Sequence, residues 1–355
     1  MSEATSSTTD CIDVLDVHRF DERALERYMV EHVEGFEFPL TVRQFQGGMS
    51  NPTFRLVDGN GKSYVLRKKP PGKLLPSAHA VDREYRVISA LNGTDVPVPK
   101  TFALCEDDSV IGTAFYIMEH VLGRVFLDPT LPELTRDERL AVYGSMNQSL
   151  AKLHNVNYRS RGLEGYGREG GYCVRQVKRW TQQYIASKTD ELDAMDRLMT
   201  WLPAHLPDDD PTTIAHGDYR LGNMIFHPHE PRVVAILDWE LSTLGHPYAD
   251  LAYNCLSYHV PNLVRGDLLA ADLDELGIPS ESEYLEAYCR ARGLREIPDW
   301  TFYLVLSLFR LAAITQGVYY RGLQGNASDP SALQRKDTCR TLSSIAWRLV
   351  EENYA

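Results

Sequence analysis

The sequence is short of positive charge, of paired cysteines and of long apolar runs. Lysine and arginine number 37 against 49 aspartates and glutamates in 355 residues, a formal net charge of −12 with a pI near 5.4. That balance argues against the basic face that nucleic acid requires, so no nucleic-acid partner is expected. Six cysteines, Cys11, Cys105, Cys173, Cys255, Cys289 and Cys339, include no CxxC pair and no short metal-type spacing. A reduced compartment without structural zinc follows. Nowhere do about 18 apolar residues follow one another, the length a membrane span needs. The richest stretch, 302–318, is broken by Ser307, Arg310, Thr315 and Gln316 and reads as a buried helix. The opening MSEATSSTTD is polar and carries acid, unlike a signal or transit peptide. There is no internal repeat, and no low-complexity tract beyond the first dozen residues. Together these absences lead us to expect a soluble cytoplasmic protein without a membrane partner. Against them stands a 43% hydrophobic composition in a chain long enough for two lobes.

Periodicity divides the chain. Residues 1–12 read as a disordered tail and 21–33 as an acidic-started helix, so that 1–36 forms a tail and a leading helix. From residue 40 the pattern alternates and is punctuated by turns: strands at 40–46, 53–57 and 63–68, the last pair joined by Asp58-Gly59-Asn60-Gly61, a strong hairpin signal. Pro70-Pro71-Gly72 ends the third strand, a helix follows at 78–91, and two more strands at 101–105 and 114–119. Beyond that the chain is mostly helical, with helices at 135–154, 174–187, 192–202, 248–259, 281–292, 300–320 and 331–352. Only 213–215, 224–226 and 233–237 look like strands there. The expected fold class is α+β, with a small β-rich lobe over 37–119 carrying one main helix and a larger, mostly helical lobe over 120–355. A boundary near Glu119 to Gly123 would leave a cleft between the lobes, a preferred place for ligands.

The stretch Ala215-His-Gly-Asp-Tyr-Arg-Leu-Gly-Asn223 sets four polar, chemically competent side chains between two apolar segments. Such a loop usually has something to hold. Asp218 follows His216 by two residues, Asn223 follows Asp218 by five, and Asp238 ends a strand fifteen residues later. His-x-Asp-x4-Asn followed by a strand-terminal Asp is the spacing of the catalytic and metal-binding loops of phosphoryl-transferring kinases. The chemistry accounts for the residue types. A carboxylate, Asp218, must orient an acceptor hydroxyl or take its proton. Mg2+ wants oxygen ligands such as the Asn223 amide and the Asp238 carboxylate beside nucleotide phosphates. Arg220 is placed to offset charge on the transferred group, although an ordinary surface arginine is the competing reading. His216 reads best as the organiser of the turn through its two ring nitrogens. Asp250, at the start of an apolar helix, is either a plain first-turn acid or a brace beneath the loop. A metallohydrolase built on His216, His227 and His229 lacks any familiar ligand spacing.

The small lobe should then supply a nucleotide clamp. Gly47-Gly48 with Ser50 and Asn51 offers bare backbone N–H groups and small polar side chains to phosphates, on a pattern that a simple turn would also satisfy. Strand alternation puts Val65 and Arg67 on one face and Leu66 and Lys68 on the other. Arg67 is the cation chosen, although a charged edge strand also arises simply to prevent edge pairing. Glu84 on the following helix is its natural carboxylate partner, unless it is a solvent-facing charge. Met118-Glu119-His120-Val121 would form the hinge, with Glu119 and Val121 offering backbone groups to adenine.

At this point the sequence resembles the aminoglycoside phosphotransferase and choline kinase-like superfamily, through HGDYRLGNMIF (216–226), AILDWE (235–240) and GHPYADLAY (245–253). Within it, VLRKKPPGKLLPSAHAVDREYRVI (65–88) and HPHEPRVVAILDWELSTLGHPYADLAY (227–253) look most like the kinase-like domain ahead of the dehydrogenase in acyl-CoA dehydrogenase family members ten and eleven, and like free-standing bacterial relatives. The resemblance extends from about residue 37 onward. It implies a protein kinase-like fold and an ATP- and Mg2+-dependent phosphotransferase acting on a hydroxyl, with Asp218 matching the catalytic base and Asn223 and Asp238 the metal ligands. Two departures from protein kinases stand out. Arg67 replaces the nucleotide-clamping lysine, a planar fork in place of a point charge. Asp238-Trp239-Glu240 replaces Asp-Phe-Gly and removes the hinge glycine of a switching loop, in keeping with a constitutive small-molecule kinase. No Ala-Pro-Glu segment is present.

The acceptor is the open question. Acidic runs at 207–211 and 266–277 could suit a cationic antibiotic, while the basic segments 67–73 and 175–180 could meet CoA phosphates. The resemblance favours a hydroxyacyl-CoA or another small hydroxy compound, with a functional link to an acyl-CoA dehydrogenase. An aminoglycoside-type kinase is one alternative. A nucleotide-binding regulator that has lost turnover, a pseudokinase, is the other.

Overall fold

A computed structural model describes residues 11–46, 51–70, 80–261, 266–327 and 331–354. The chain forms two compact units. The first comprises residues 1–126, 158–164 and 221–242, and the second 127–157, 165–220 and 243–355.

The first unit is built on a six-stranded antiparallel sheet. In chain order its strands are β1 (Cys11–Ile12), β2 (Thr41–Phe45), β3 (Thr53–Val57), β4 (Ser63–Lys68), β5 (Thr101–Cys105) and β6 (Phe115–Glu119), arranged in space as β1-β2-β3-β4-β6-β5. Period-two alternation sorts the side chains onto two faces. Phe54, Leu56, Tyr64, Leu66, Phe115 and Ile117 form one core with Leu25 and Met29 of α1 (Glu22–His32). Asp21 starts α1 by accepting the N–H groups of Arg23 and Ala24, the cap its acidic start foretold. Helix α2 (Val81–Leu91) buries Val81, Glu84, Val87, Ile88 and Leu91. Because both faces of β6 are covered, Phe115 to Met118 are all buried, and the strand reads as a continuous apolar run.

The hairpin Met224–Phe226 with Val233–Ile236 belongs to this unit, although its linear position suggests the helical lobe. Three contacts explain the assignment. Ile236 N–H donates to Pro97 O at 2.9 Å. Arg124 and Phe226 exchange backbone hydrogen bonds of 2.8 Å in both directions. Gly123 lies so close beneath that a Cβ there would stand 2.1 Å from Phe226 O, so only glycine permits the crossing.

The second unit is helical. Its elements are Arg136–Asn155, Tyr172–Ser187, Asp193–Ala204, Pro247–Asn254, Glu281–Arg292, Trp300–Leu323 and Thr338–Tyr354, with a short antiparallel pair, Thr213–Ala215 and Thr243–Gly245. Thr135 and Ser280 open their helices with capping boxes. Trp300–Leu323 is long and apolar enough to cross a membrane by length and composition, yet two-thirds of its apolar window is buried in the structure. That is the burial of a core helix.

The expected helix at 331–352 is in fact a 3-10 turn, Ala332–Arg335, followed by Thr338–Tyr354. The one at 248–259 stops at Asn254 and continues as a 3-10 turn, Cys255–Tyr258. Cys11 and Ile12, expected in a disordered tail, pair with Phe45 and Gln44 of β2. The strand Thr243–Gly245 was not foreseen, since its residues lead directly into a Gly-His-Pro turn.

Candidate active site

In the first unit, alternation places Arg67 on the face opposite the α1 core. Its Nε lies 3.1 Å from Glu84 Oε2, an ion-pair contact without hydrogen-bond alignment. Its Nη2 donates to Asp238 Oδ1 at 2.9 Å and lies 3.5 Å from Glu240 Oε2. One guanidinium therefore ties a strand, a helix and the segment after the hairpin. A lysine, with a single nitrogen on a flexible stem, offers no such fork. Its neighbour Lys68 points the other way, with Nζ 5.5 Å from the Phe20 ring and 5.8 Å from that of Phe54.

Glu84, 1% exposed, also accepts from Tyr116 OH at 3.1 Å and from Asn51 Nδ2 at 2.9 Å. Burial pushes its carboxyl up to about 7, against the pull of Arg67 and the Tyr116 hydroxyl. The side chain of Asn51, 1% exposed, thus anchors Glu84. Gly47, Gly48 and Ser50 lie outside the described residues.

Arg67 opens onto a cavity of about 390 Å³ whose lining includes Val65, Met118, Glu119, Val121, Asn223 and Asp238. Of the expected residues, Arg67 of the clamp, Glu119 and Val121 of the hinge, and Asn223 and Asp238 of the metal site share this concavity. The Glu119 N–H is already bonded to Lys100 O at 2.7 Å, so that donor is engaged within the protein. Asp238 holds a left-handed backbone conformation (φ 64°), rare for a residue with a side chain and frequent where function fixes a carboxylate. Just beyond it, Trp239 is buried and its indole N–H donates to Ile236 O at 2.9 Å, pinning the segment.

The second unit holds the loop with His216, Asp218 and Arg220. His216 is fully buried, and its Nδ1 accepts the Asp218 N–H at 3.2 Å, which shapes the turn. Asp250 accepts the His216 N–H at 2.7 Å and the Gly217 N–H at 2.8 Å, bracing the loop through its backbone. His154 Nε2 lies 3.3 Å from the same carboxylate, and its Nδ1 lies 2.6 Å from Tyr288 OH. Burial lowers the His154 pKa, so a neutral ring donating from Nε2 satisfies both partners. Burial would raise the Asp250 carboxyl, but its hydrogen bonds outweigh that and hold it below the usual range. Arg220 Nε lies 3.3 Å from Asp218 Oδ2, so its guanidinium rests on that carboxylate.

Sequence reading missed Tyr116, Tyr253 and Glu240. Tyr253 hydrogen-bonds Asp218, and burial together with that carboxylate keeps its phenol protonated. Tyr116 shares its strand face with Met118 and Glu240 follows Asp238 by two, so alternation and proximity were the available signals. All six cysteines are free thiols.

The chain matches the model of the phosphotransferase enzyme family over residues 41–303. It is 46% identical to human acyl-CoA dehydrogenase family member 11 over 361 residues, covering 100% of this chain and 46% of that protein. It is 47% identical to mouse acyl-CoA dehydrogenase family member 10 over 333 residues, covering 91% of this chain and 30% of that protein. The chain thus spans less than half the length of these curated relatives. Among solved structures, a Ralstonia eutropha protein provisionally described as an aminoglycoside phosphotransferase superposes with a TM-score of 0.87 at 50% identity, over 94% of this chain and 99% of that one. Choline kinase from Cryptosporidium parvum follows the same fold, with a TM-score of 0.63 at 12% identity over 94% of this chain and 97% of that one. The fold is protein kinase-like, with an antiparallel sheet in the N-terminal part and a mostly helical C-terminal part.

Proposed function

This chain belongs to the phosphotransferase enzyme family, and we propose that it moves the γ-phosphate of ATP, with Mg2+, to a hydroxyl of a small molecule, a hydroxyacyl thioester or related hydroxy compound. The observation that carries the reading is the assembled nucleotide side. Arg67 bridges Glu84 and Asp238 at the wall of a cavity that the hinge residues and Asn223 also line.

The donor set suits the proposed metal. Asp238 gives one oxygen to Arg67 and keeps lone pairs on both, and Asn223 adds an amide oxygen. No group of three or more His, Cys, Asp or Glu among the described residues forms a cage by itself. A cation held by this pair needs phosphate oxygens and water to complete its shell, which is the habit of Mg2+. When bound, the ion offsets negative charge on the phosphates. Asp218 orients the acceptor hydroxyl and takes its proton on a carboxylate oxygen. Tyr253 and Arg220 hold that carboxylate in place. His216 and Asp250 fix the loop beneath it.

The named relatives support the acyl acceptor, and a functional link to an acyl-CoA dehydrogenase goes with it. A neighbour of the same fold has been solved with AMP-PNP and hygromycin B, so the architecture accommodates a nucleotide beside an antibiotic. In this chain three acids of those runs are engaged locally. Asp210 accepts the Gly171 N–H, Asp267 the Leu269 N–H and Asp272 the Glu275 N–H. Asp272 caps the short helix Leu273–Leu276, and the other two carboxylates serve local backbone contacts.

An ATP-consumption screen over hydroxyacyl-CoAs, hydroxy acids, choline-like alcohols and aminoglycosides tests the reading. Acceptor-dependent turnover that collapses in Asp238→Ala, with a raised Mg2+ requirement, supports it. ATP binding without turnover across the whole panel overturns it in favour of a regulator, the reading that the Arg67–Asp238 ion pair would then explain.

A further inference from the structure

Arg310 interrupts an apolar helix, and a charge in such a place persists only when something compensates it. Its Nη2 donates to Gly217 O at 2.7 Å, on the residue before Asp218. Its guanidinium carbon stands 5.2 Å from the ring centre of Tyr253 and 5.8 Å from that of Trp180. The buried Nε has no hydrogen-bond partner, and no carboxylate among the described residues forms an ion pair with the side chain. Tyr253 in turn hydrogen-bonds Asp218. The other arginine here, Arg220, is already paired with Asp218.

A neutral amide could hold the Gly217 carbonyl just as well. The surplus at Arg310 is its charge, fixed between two aromatic faces, partly open to solvent, one residue and one ring away from the proposed base. Arginine on aromatic walls is a common receptor for planar oxyanions. We propose that Arg310, walled by Trp180 and Tyr253, anchors an anionic group of the phosphate acceptor, a carboxylate or a phosphate, and thereby selects anionic hydroxy compounds over neutral and cationic ones. This rests on the phosphotransferase reading for its kinetics, while the binding preference stands on its own.

The test uses the full chain and acceptors matched except in charge. One set is 3-hydroxybutyrate, 3-hydroxybutyramide and 4-amino-2-butanol; the other is glycerol 3-phosphate and glycerol. In the wild type, kcat/KM should favour the anionic member by about tenfold or more, the scale of one charge-assisted hydrogen bond. Which of the two anions is preferred identifies the group. Arg310→Gln should collapse the anionic-to-neutral ratio toward one while KM for ATP stays put, and Arg310→Lys should restore part of the ratio. Equal losses for charged and neutral acceptors in Arg310→Gln, or a wild type indifferent to charge, overturn the proposal and leave Arg310 as a brace of the loop. Calorimetric titration of the same compounds separates this proposal from the one it rests on. Charge-selective binding lost in Arg310→Gln without any phosphate transfer sinks the phosphotransferase reading and keeps the anion anchor. Charge-independent binding sinks the anchor whether or not transfer occurs.

Discussion

Replacing Asp250 by asparagine changes one atom and removes an acceptor from beneath the loop. The carboxylate now receives two backbone amides, from His216 at 2.7 Å and Gly217 at 2.8 Å, on separate oxygens. An asparagine presents one carbonyl and one NH2, so whichever way it turns, one buried N–H faces another donor. An unpaired buried amide costs about 1–3 kcal/mol, and the surviving bond loses its charge assistance, about another 1 kcal/mol. His154, whose Nε2 stands 3.3 Å from the lost charge, must readjust as well. The sum is about 3 kcal/mol, a large part of a domain's stability, and a loop displaced by about 1 Å costs about 100-fold in rate. The assay pairs urea unfolding with steady-state turnover on one preparation. Asp250→Asn should unfold at lower urea with the same slope and lose kcat far more than affinity for ATP. An unchanged midpoint with unchanged kcat would falsify the bracing role.

Other perturbations follow the same physics. Arg67→Met leaves Glu84 buried without its cation, which costs about 3–5 kcal/mol in urea unfolding; Arg67→Met with Glu84→Gln, which removes the stranded charge and keeps an oxygen for the Tyr116 hydroxyl or the Asn51 amide, should recover part of it, and failure to recover would show the two side chains to be uncoupled. His246 is buried, and burial lowers its pKa to about 4 from 6.5. The native state therefore resists protonating it. The stability it confers is complete above pH 6.5 and lost as pH falls toward 4, by about 3 kcal/mol. His246→Asn, which keeps an N-cap acceptor, should flatten that acid limb, and an equally steep decline in the variant would place the effect elsewhere. Gly123→Ala drives a Cβ to 2.1 Å from Phe226 O, so its melting temperature should fall by several degrees; an unchanged one would mean the crossing is loose.

Much of the fold could be read in advance because local patterns carry it. The strands at 53–57, 63–68 and 101–105 and the helix Glu281–Arg292 lie where alternation, turn residues and capping residues place them. Long-range partners were not legible. Arg67 meets Asp238 across 171 residues, and nothing local says which acid an arginine will find. The contact of Asn51 with Glu84 was equally hidden, since burial is a property of the folded neighbourhood and not of an Asn beside glycines. The membership of the hairpin at 224–236 in the sheet unit depends on Pro97, Gly123 and Arg124, each distant in sequence. Arg310 did leave a signal, as the lone charge in an apolar run, but the aromatic rings and the carbonyl that receive it come from three other segments.

The central claim is that phosphate leaves ATP for a hydroxyl oriented by Asp218. The most direct measurement follows label from γ-labelled ATP into a hydroxyacyl or hydroxy-acid acceptor, in the wild type and in Asp218→Asn. The account predicts label on the acceptor's hydroxyl in the wild type and a fall in kcat of about 10²–10⁴-fold in the variant, with KM for ATP little changed. Equal transfer by the variant, or label released only as inorganic phosphate whatever the acceptor, would contradict it.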